Sequence, residues 1–229
     1  MTRKESNMLG FIQNPIKSLF HKEHPFVEKD SLYFEITDAF ETKGCPVCHL
    51  LDRYEDQYME ALFYESVNDG NIRMKMEQSQ GLCPLHTQKF LKAGDILGLS
   101  ILGADLIEEW LIALDRNNEV NTTCLLCEQR SQNERRLNLA FARYFYLKEF
   151  RDAFEHSAGL CKKHFHQIQM FIKDQHLADE FIKTEEVKIK KLIANLYEVI
   201  RKHDYRFQNE TIFDRETEAI RRVWEFLKK

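Results

Sequence analysis

Six cysteines and two histidines stand in two copies of one pattern. CPVC at 45–48 is followed by GLCPLH at 81–86, and CLLC at 124–127 is followed by GLCKKH at 159–164. Cys45 and Cys48 recur 79 residues later as Cys124 and Cys127, and Cys83 and His86 recur 78 residues later as Cys161 and His164. All six cysteines of the chain fall in this pattern. Internal repetition at a fixed register marks a duplicated structural unit.

A CxxC turn aims two sulfurs at one centre. A CxxH at the start of a helix puts Cys and His one turn apart on the same face. Together they supply three thiolates and one imidazole, a tetrahedral zinc set. Helix N-termini favour the thiolate charge. The candidate metal ligands are therefore Cys45, Cys48, Cys83, His86, Cys124, Cys127, Cys161 and His164, and two zinc ions are expected. Four protein ligands leave no open position for water, so such sites are structural. The half-sites are separated by 34 residues in the first copy and 33 in the second, room for a pair of helices. Pairing within each copy is expected, because local closure costs less entropy. Crossed pairing, with the first CxxC meeting the second CxxH, is the alternative. Ligation of an iron–sulfur cluster by the same residues is the alternative to zinc.

The rest of the chain reads as helix. Eight Gly and four Pro in 229 residues, with 17 Phe, disfavour an all-β protein, which needs turn residues at short intervals. From Ser31, read as an N-cap, Leu32, Ile36, Ala39 and Phe40 form one face. A helix over about 47–68 carries Leu51, Tyr54, Tyr58 and Leu62 on one stripe. Further helices are expected over about 71–80, 84–93 and up to Leu114. In the second half they begin near Leu126, with Leu137, Phe141, Tyr144 and Phe145 on the apolar side, and near Lys162. A long helix over about 178–203 has Ile182, Ile189, Ile193, Leu196 and Ile200 in register, and the tail is amphipathic. The expected fold is all-α: two metal-pinned helical pseudo-repeats, about 31–120 and 121–229, packed into one domain, 31–229, with a long C-terminal helix. The polar stretch at 115–123 is the internal boundary.

Residues 1–30 form an N-terminal extension. Its apolar positions Leu9, Ile12, Ile16, Leu19 and Phe20 have helical spacing beside Arg3, Lys4, Lys17 and Lys22. It reads as an adaptable arm for a protein partner or for weak peripheral contact with a membrane, with a disordered tail as the alternative. The most apolar run, 96–114, carries Asp105, Glu108 and Glu109, so no transmembrane segment is expected, and there is no secretory signal. A cytoplasmic location follows, with reduced thiols suited to metal or redox chemistry rather than structural disulfides. The net charge of −4 gives no general attraction to nucleic acid. The other histidines singled out are weaker signals: His49 and His166 read as exposed or beside the ligands, and His203 as a core or helix-end residue. Glu65, in register with the Leu51–Leu62 stripe, reads as a helix-edge residue reaching solvent; accepting a hydrogen bond from a ligand histidine is its other reading. No phosphate-binding loop, HExxH, GxSxG or ExxH pair is present. The sequence points to a zinc-binding, non-enzymatic interaction or scaffold protein, with a thiol-based redox or metal sensor as the alternative.

The stretches YFEITDAFETKGCPVC, ALFYESVNDG, GLCPLH, AGDILGLSIL and KHDYRF resemble a prokaryotic family catalogued as domain-of-unknown-function family 6062. The resemblance covers Ser31 to the C-terminus. It implies a small helical cytosolic protein with paired cysteine motifs, and no activity.

Overall fold

The computed structural model describes residues 27–114 and 123–228. Among them there are ten α-helices and no strand. The first 26 residues, which carry the apolar positions of the expected arm, lie outside the described residues, as does most of the polar boundary at 115–123.

Helix α1 (Ser31–Asp38) is capped by Asp30, whose carboxylate accepts from the N–H groups of Leu32 and Tyr33 at 3.0 and 3.2 Å. Ser31 is thus the first helical residue, not the cap. The same Asp30 carboxylate accepts from the Tyr144 hydroxyl and from Arg143, a second task that a serine could not perform. Helix α2 (Pro46–Ala61) starts with proline in its first turn, where no N–H is needed, and widens into a π turn over Leu62–Ser66. Helices α3 (Gly70–Gln78), α4 (Pro84–Ala93) and α5 (Ile96–Ala113) complete the first half. The second half holds α6 (Leu125–Tyr144), α7 (Lys148–His156), α8 (Lys162–Gln169), α9 (Gln175–Lys202) and α10 (Asp214–Phe226). Helix α7 is not anticipated by the sequence reading; its signal is Phe150 and Phe154, four apart and both fully buried.

Buried side chains gather in two cores. The larger draws on α1, the start of α2, the end of α6, and α7, α8 and the start of α9; Phe40, Phe141, Phe145, Phe150, Phe154 and Phe181 meet there ring to ring. The smaller lies at the other end of α2 and the start of α6, with Met59, Leu62, Met76, Phe90, Leu102 and Leu126. Both cores therefore mix residues from the two sequence copies, and α2 and α6, packed against each other, run through both.

Helix α9 turns a different stripe inward from the one its isoleucines mark. Ile182, Ile193 and Ile200 are exposed, whereas Phe181, Glu185, Val199 and Lys202 are buried. The two stripes are one residue apart, and the inner one is disguised by charge. Helix α10 supplies the partner that makes burial tolerable: Lys202 Nζ lies 2.8 Å from both Glu216 carboxylate oxygens. Arg222, also on α10, donates to the carbonyls of Ala158, Gly159 and Leu160, just ahead of Cys161.

Candidate metal sites

The first cysteine of each motif is the N-cap of a helix: Cys45 of α2, Cys83 of α4, Cys124 of α6 and Cys161 of α8. Its partner, Cys48, His86, Cys127 or His164, stands one turn in. That spacing aims both side chains of each motif at one point ahead of the helix N-terminus. Each CxxH is reached through a glycine in the left-handed region, Gly81 at φ 99° and Gly159 at φ 84°. At Gly159 a Cβ would also stand 2.8 Å from the Lys188 side chain and 2.9 Å from the Glu185 carboxylate, so the repeated GLC needs its glycine.

The motifs combine across the copies. Cys45, Cys48, Cys161 and His164 form one group, and Cys83, His86, Cys124 and Cys127 form the other; in each, the four ligand atoms all lie within 4.8 Å of one another. In the first group His164 Nδ1 is 3.4, 3.3 and 3.2 Å from the sulfurs of Cys45, Cys48 and Cys161, and the Cys48 and Cys161 sulfurs are 3.7 Å apart. In the second, His86 Nδ1 is 3.2, 3.4 and 3.3 Å from Cys83, Cys124 and Cys127, and the Cys83 and Cys127 sulfurs are 3.7 Å apart. Each group could hold a metal ion.

Pairing within each copy, and a hairpin closed on itself by its own metal, are therefore not what the chain adopts. The physical reason is how the helices pack. Glu55, on α2 roughly 15 Å beyond Cys45 at 1.5 Å per residue, stands beside His86. Helix α4 packs on α2 and α3 packs on α5, so Cys83 and His86 come to lie beside the head of α6 rather than beside Cys45. The entropic preference for local closure is weak: lengthening the spacer from 34 to 112 residues costs about 1 kcal/mol.

A carboxylate stands behind each histidine, and it too crosses. Glu134, on the α6 helix headed by Cys124, accepts a hydrogen bond from His164 Nε2 at 2.8 Å. Glu55, on the α2 helix headed by Cys45, has Oε1 3.3 Å from His86 Nε2, within ion-pair range. Each glutamate is seven residues beyond the second cysteine of its helix, and the 79-residue offset relates Glu55 to Glu134 as it relates the cysteines. That offset is the signal by which the sequence could have revealed them. For each helix to begin at one group and reach the other two turns later, α2 and α6 must run antiparallel. Burial would raise the Glu134 carboxyl, but hydrogen bonds from His164 and Lys163 outweigh it and hold the group at about 2. Glu55 is likewise lowered against the effect of burial, by Lys89 and Arg130, each 2.6 Å from it. Both histidines are 2 % exposed and present Nδ1 to the thiols and Nε2 to a carboxylate, which fixes the ring orientation a metal ligand needs.

Glu65 is exposed and takes no part, and His49 and His166 are exposed. His203 is an exposed helix-end residue, its Nδ1 2.8 Å from the Val199 carbonyl. Glu55→Gln and Glu134→Gln keep the shape of the brace and remove its charge. Each should lower metal affinity roughly 10- to 100-fold, and competition with a chromophoric chelator measures it. Under crossed bracing, Glu134→Gln weakens the group containing Cys45, not the one at the head of its own helix.

Among the described residues, fold and site together define an all-helical protein with two interleaved Cys3His groups. The sequence profile described as "Family of unknown function (DUF6062)" matches residues 28–120 and 108–229, and the chain belongs to that family. A relative, "Uncharacterized 23.9 kDa protein in xynA 3'region" of Caldicellulosiruptor sp. (strain Rt8B.4), is 28% identical over 177 residues, which span 74% of this chain and 87% of that protein. No solved structure matches. Among the described residues no helix is long and apolar enough to cross a membrane.

Proposed function

We propose that the chain is a zinc-binding protein with one structural ion in each four-residue group, and that it serves as a non-enzymatic interaction or scaffold protein. The spacing of the ligand atoms carries this reading. Around one tetrahedral zinc, with Zn–S near 2.3 Å and Zn–N near 2.0–2.1 Å, sulfurs sit about 3.8 Å apart and sulfur to nitrogen about 3.5 Å. One sulfur pair in each group stands at 3.7 Å, the sulfur–nitrogen pairs at 3.2–3.4 Å, and all four ligand atoms of each group lie within 4.8 Å of one another. That spacing suits a single ion better than a polynuclear cluster, which spreads its ligands over several metals. Two helix N-termini converge on each group and favour its thiolate charge. At Cys83 burial pushes the thiol up, yet the N–H groups of His86 and Leu85 and the neighbouring thiols hold it below its ordinary value.

In this reading residues 31–229 form one body and residues 1–30 an extension toward a protein partner or a membrane surface. A cytoplasmic location fits thiols kept reduced for metal. Elemental analysis of protein purified without added metal should give two zinc ions per chain and no visible absorption. One ion or none, with all six thiols free, overturns the proposal, and visible absorption of a cluster replaces zinc with iron. Half-buried Cys48, Cys83 and Cys127 give each group a thiol within reach of solvent, which favours a redox or metal sensor as the second reading.

A further inference from the structure

Helix α5 packs on the body through one face only. Gly98 and Leu102 are buried, and Asp105 is held by Arg73 of α3. The opposite face carries Ile96, Ser100, Gly103, Ile107, Trp110 and Leu114 at intervals of four and three residues, the spacing of a seam that another helix fills. Ile96, Ile107, Trp110 and Leu114 are 88, 66, 60 and 55 % exposed, and Leu97 and Leu111 beside them are equally open. Together these six side chains offer roughly 800 Å² of apolar surface, more than the largest patch on a typical monomer and about what one partner contributes to a stable interface. A groove of about 600 Å³ between the end of α3 and α5, lined by Gln80, Leu106 and Trp110 among others, continues this face.

We infer that this face pairs with the same face of a second copy of the chain, α5 against α5, antiparallel about a two-fold axis between Gly103 and Ile107. The stripe is self-complementary in that arrangement. Ile96 meets the partner copy's Leu114, the small Ser100 meets Trp110, and Gly103 meets Ile107, so large residues fall on small ones throughout. Among the described residues nothing lies within 4 Å of where a Cβ on Gly103 would stand, which leaves the approach of a second helix open at the centre. Parallel pairing would set Trp110 on Trp110 and Gly103 on Gly103, a collision beside a void. Charge favours the same choice. The only charged residues of α5 are Asp105, Glu108 and Glu109. In the antiparallel pair Glu108 faces the uncharged first half of the partner helix, whereas in a parallel pair it faces its own image.

Sedimentation equilibrium of the full metal-loaded chain at micromolar concentration tests the pairing. A dimer is expected. Ile107→Glu should raise the dimer dissociation constant about 100-fold or more, because it places an unpaired charge in the seam, with helicity and metal content unchanged. Gly103→Ile and Ile107→Gly should each weaken the dimer, and the two together should restore it, since the large and small positions are only exchanged. A monomeric wild type overturns the inference. If proteolysis then shows residues 1–26 released by Ile107→Glu, the occupant is the chain's own arm. If the monomer floats with zwitterionic vesicles, the occupant is lipid. A dimer that survives both Ile107→Glu and Trp110→Glu also overturns it, because it then forms through another surface.

Discussion

Replacing Cys161 by serine is expected to empty the group that contains Cys45 and Cys48, and to leave the ion held by Cys83, His86, Cys124 and Cys127 in place. Pairing within the sequence copies predicts the reverse, loss at Cys124 and Cys127. Double variants make the distinction sharp. Cys45→Ser with Cys161→Ser damages one group twice and should still bind one ion. Cys45→Ser with Cys83→Ser damages both and should bind none. The energetic effect is large: a structural zinc contributes about 10–16 kcal/mol in small zinc-dependent folds, against a total stability of about 5–15 kcal/mol for a domain. Some variants will therefore be only partly folded, and metal content alone would then mislead. Stability supplies the second readout. Losses for partners in one group should be far from additive, because the first removes the ion that the second would have lost. Losses for residues of different groups should come nearer to adding. Additive losses for Cys45 and Cys161, or near-complete overlap for Cys45 and Cys83, would sink the crossed arrangement.

Crossing is the feature the sequence concealed. That these eight Cys and His residues would gather into groups of four was legible, because ligand chemistry depends on residue type and on spacing within one helical turn. Which half-sites meet depends on where helices end in space. A loop-entropy argument favours neighbours in sequence by only about 1 kcal/mol, too little to compete with the packing of the helices. The carboxylates Glu55 and Glu134 were missed for a related reason. Their role appears only when α2 and α6 lie antiparallel, although the 79-residue offset they share with the cysteines was there to be read. Glu65 drew attention because it lies on the apolar stripe, but it sits in the π turn at the end of α2, where it faces solvent. The isoleucine stripe of α9 misled because hydrophobic periodicity finds apolar faces without saying whether the body or the solvent lies behind them. There the inner face mixes Phe181 and Val199 with Glu185 and Lys202, and the burial of Lys202 depends on Glu216 from a helix far along the chain.

Removing both ions with a strong chelator should unfold the protein unevenly, beginning around Cys83, His86, Cys124 and Cys127. Among the described residues, the core at that end holds nine buried residues, three of them sulfur-containing Met59, Met76 and Cys124, whereas the core around the other group holds 23 with six interlocked phenylalanines. Burying a phenylalanine side chain contributes roughly 1.5–3 kcal/mol, so the aromatic core retains a driving force without metal that the smaller one lacks. Far-UV circular dichroism should show substantial loss of helix on chelation, and hydrogen exchange should place the early loss in α3, α4 and α5. The amides of α1, α7 and the end of α6 should remain protected longest. This outcome ties binding energy to folding energy, as a structural site requires. A sensor behaves otherwise. Its more accessible thiolates oxidise selectively and release metal while the helical body persists. Mild peroxide with zinc release followed in parallel separates the two. If Cys48, Cys83 and Cys127 oxidise rapidly and reversibly, with both ions released and α3 to α5 still protected, the ions report redox state and the structural reading fails. If zinc leaves only as fast as those helices open, the ions are part of the fold, and the half-buried thiols are merely its outermost ligands.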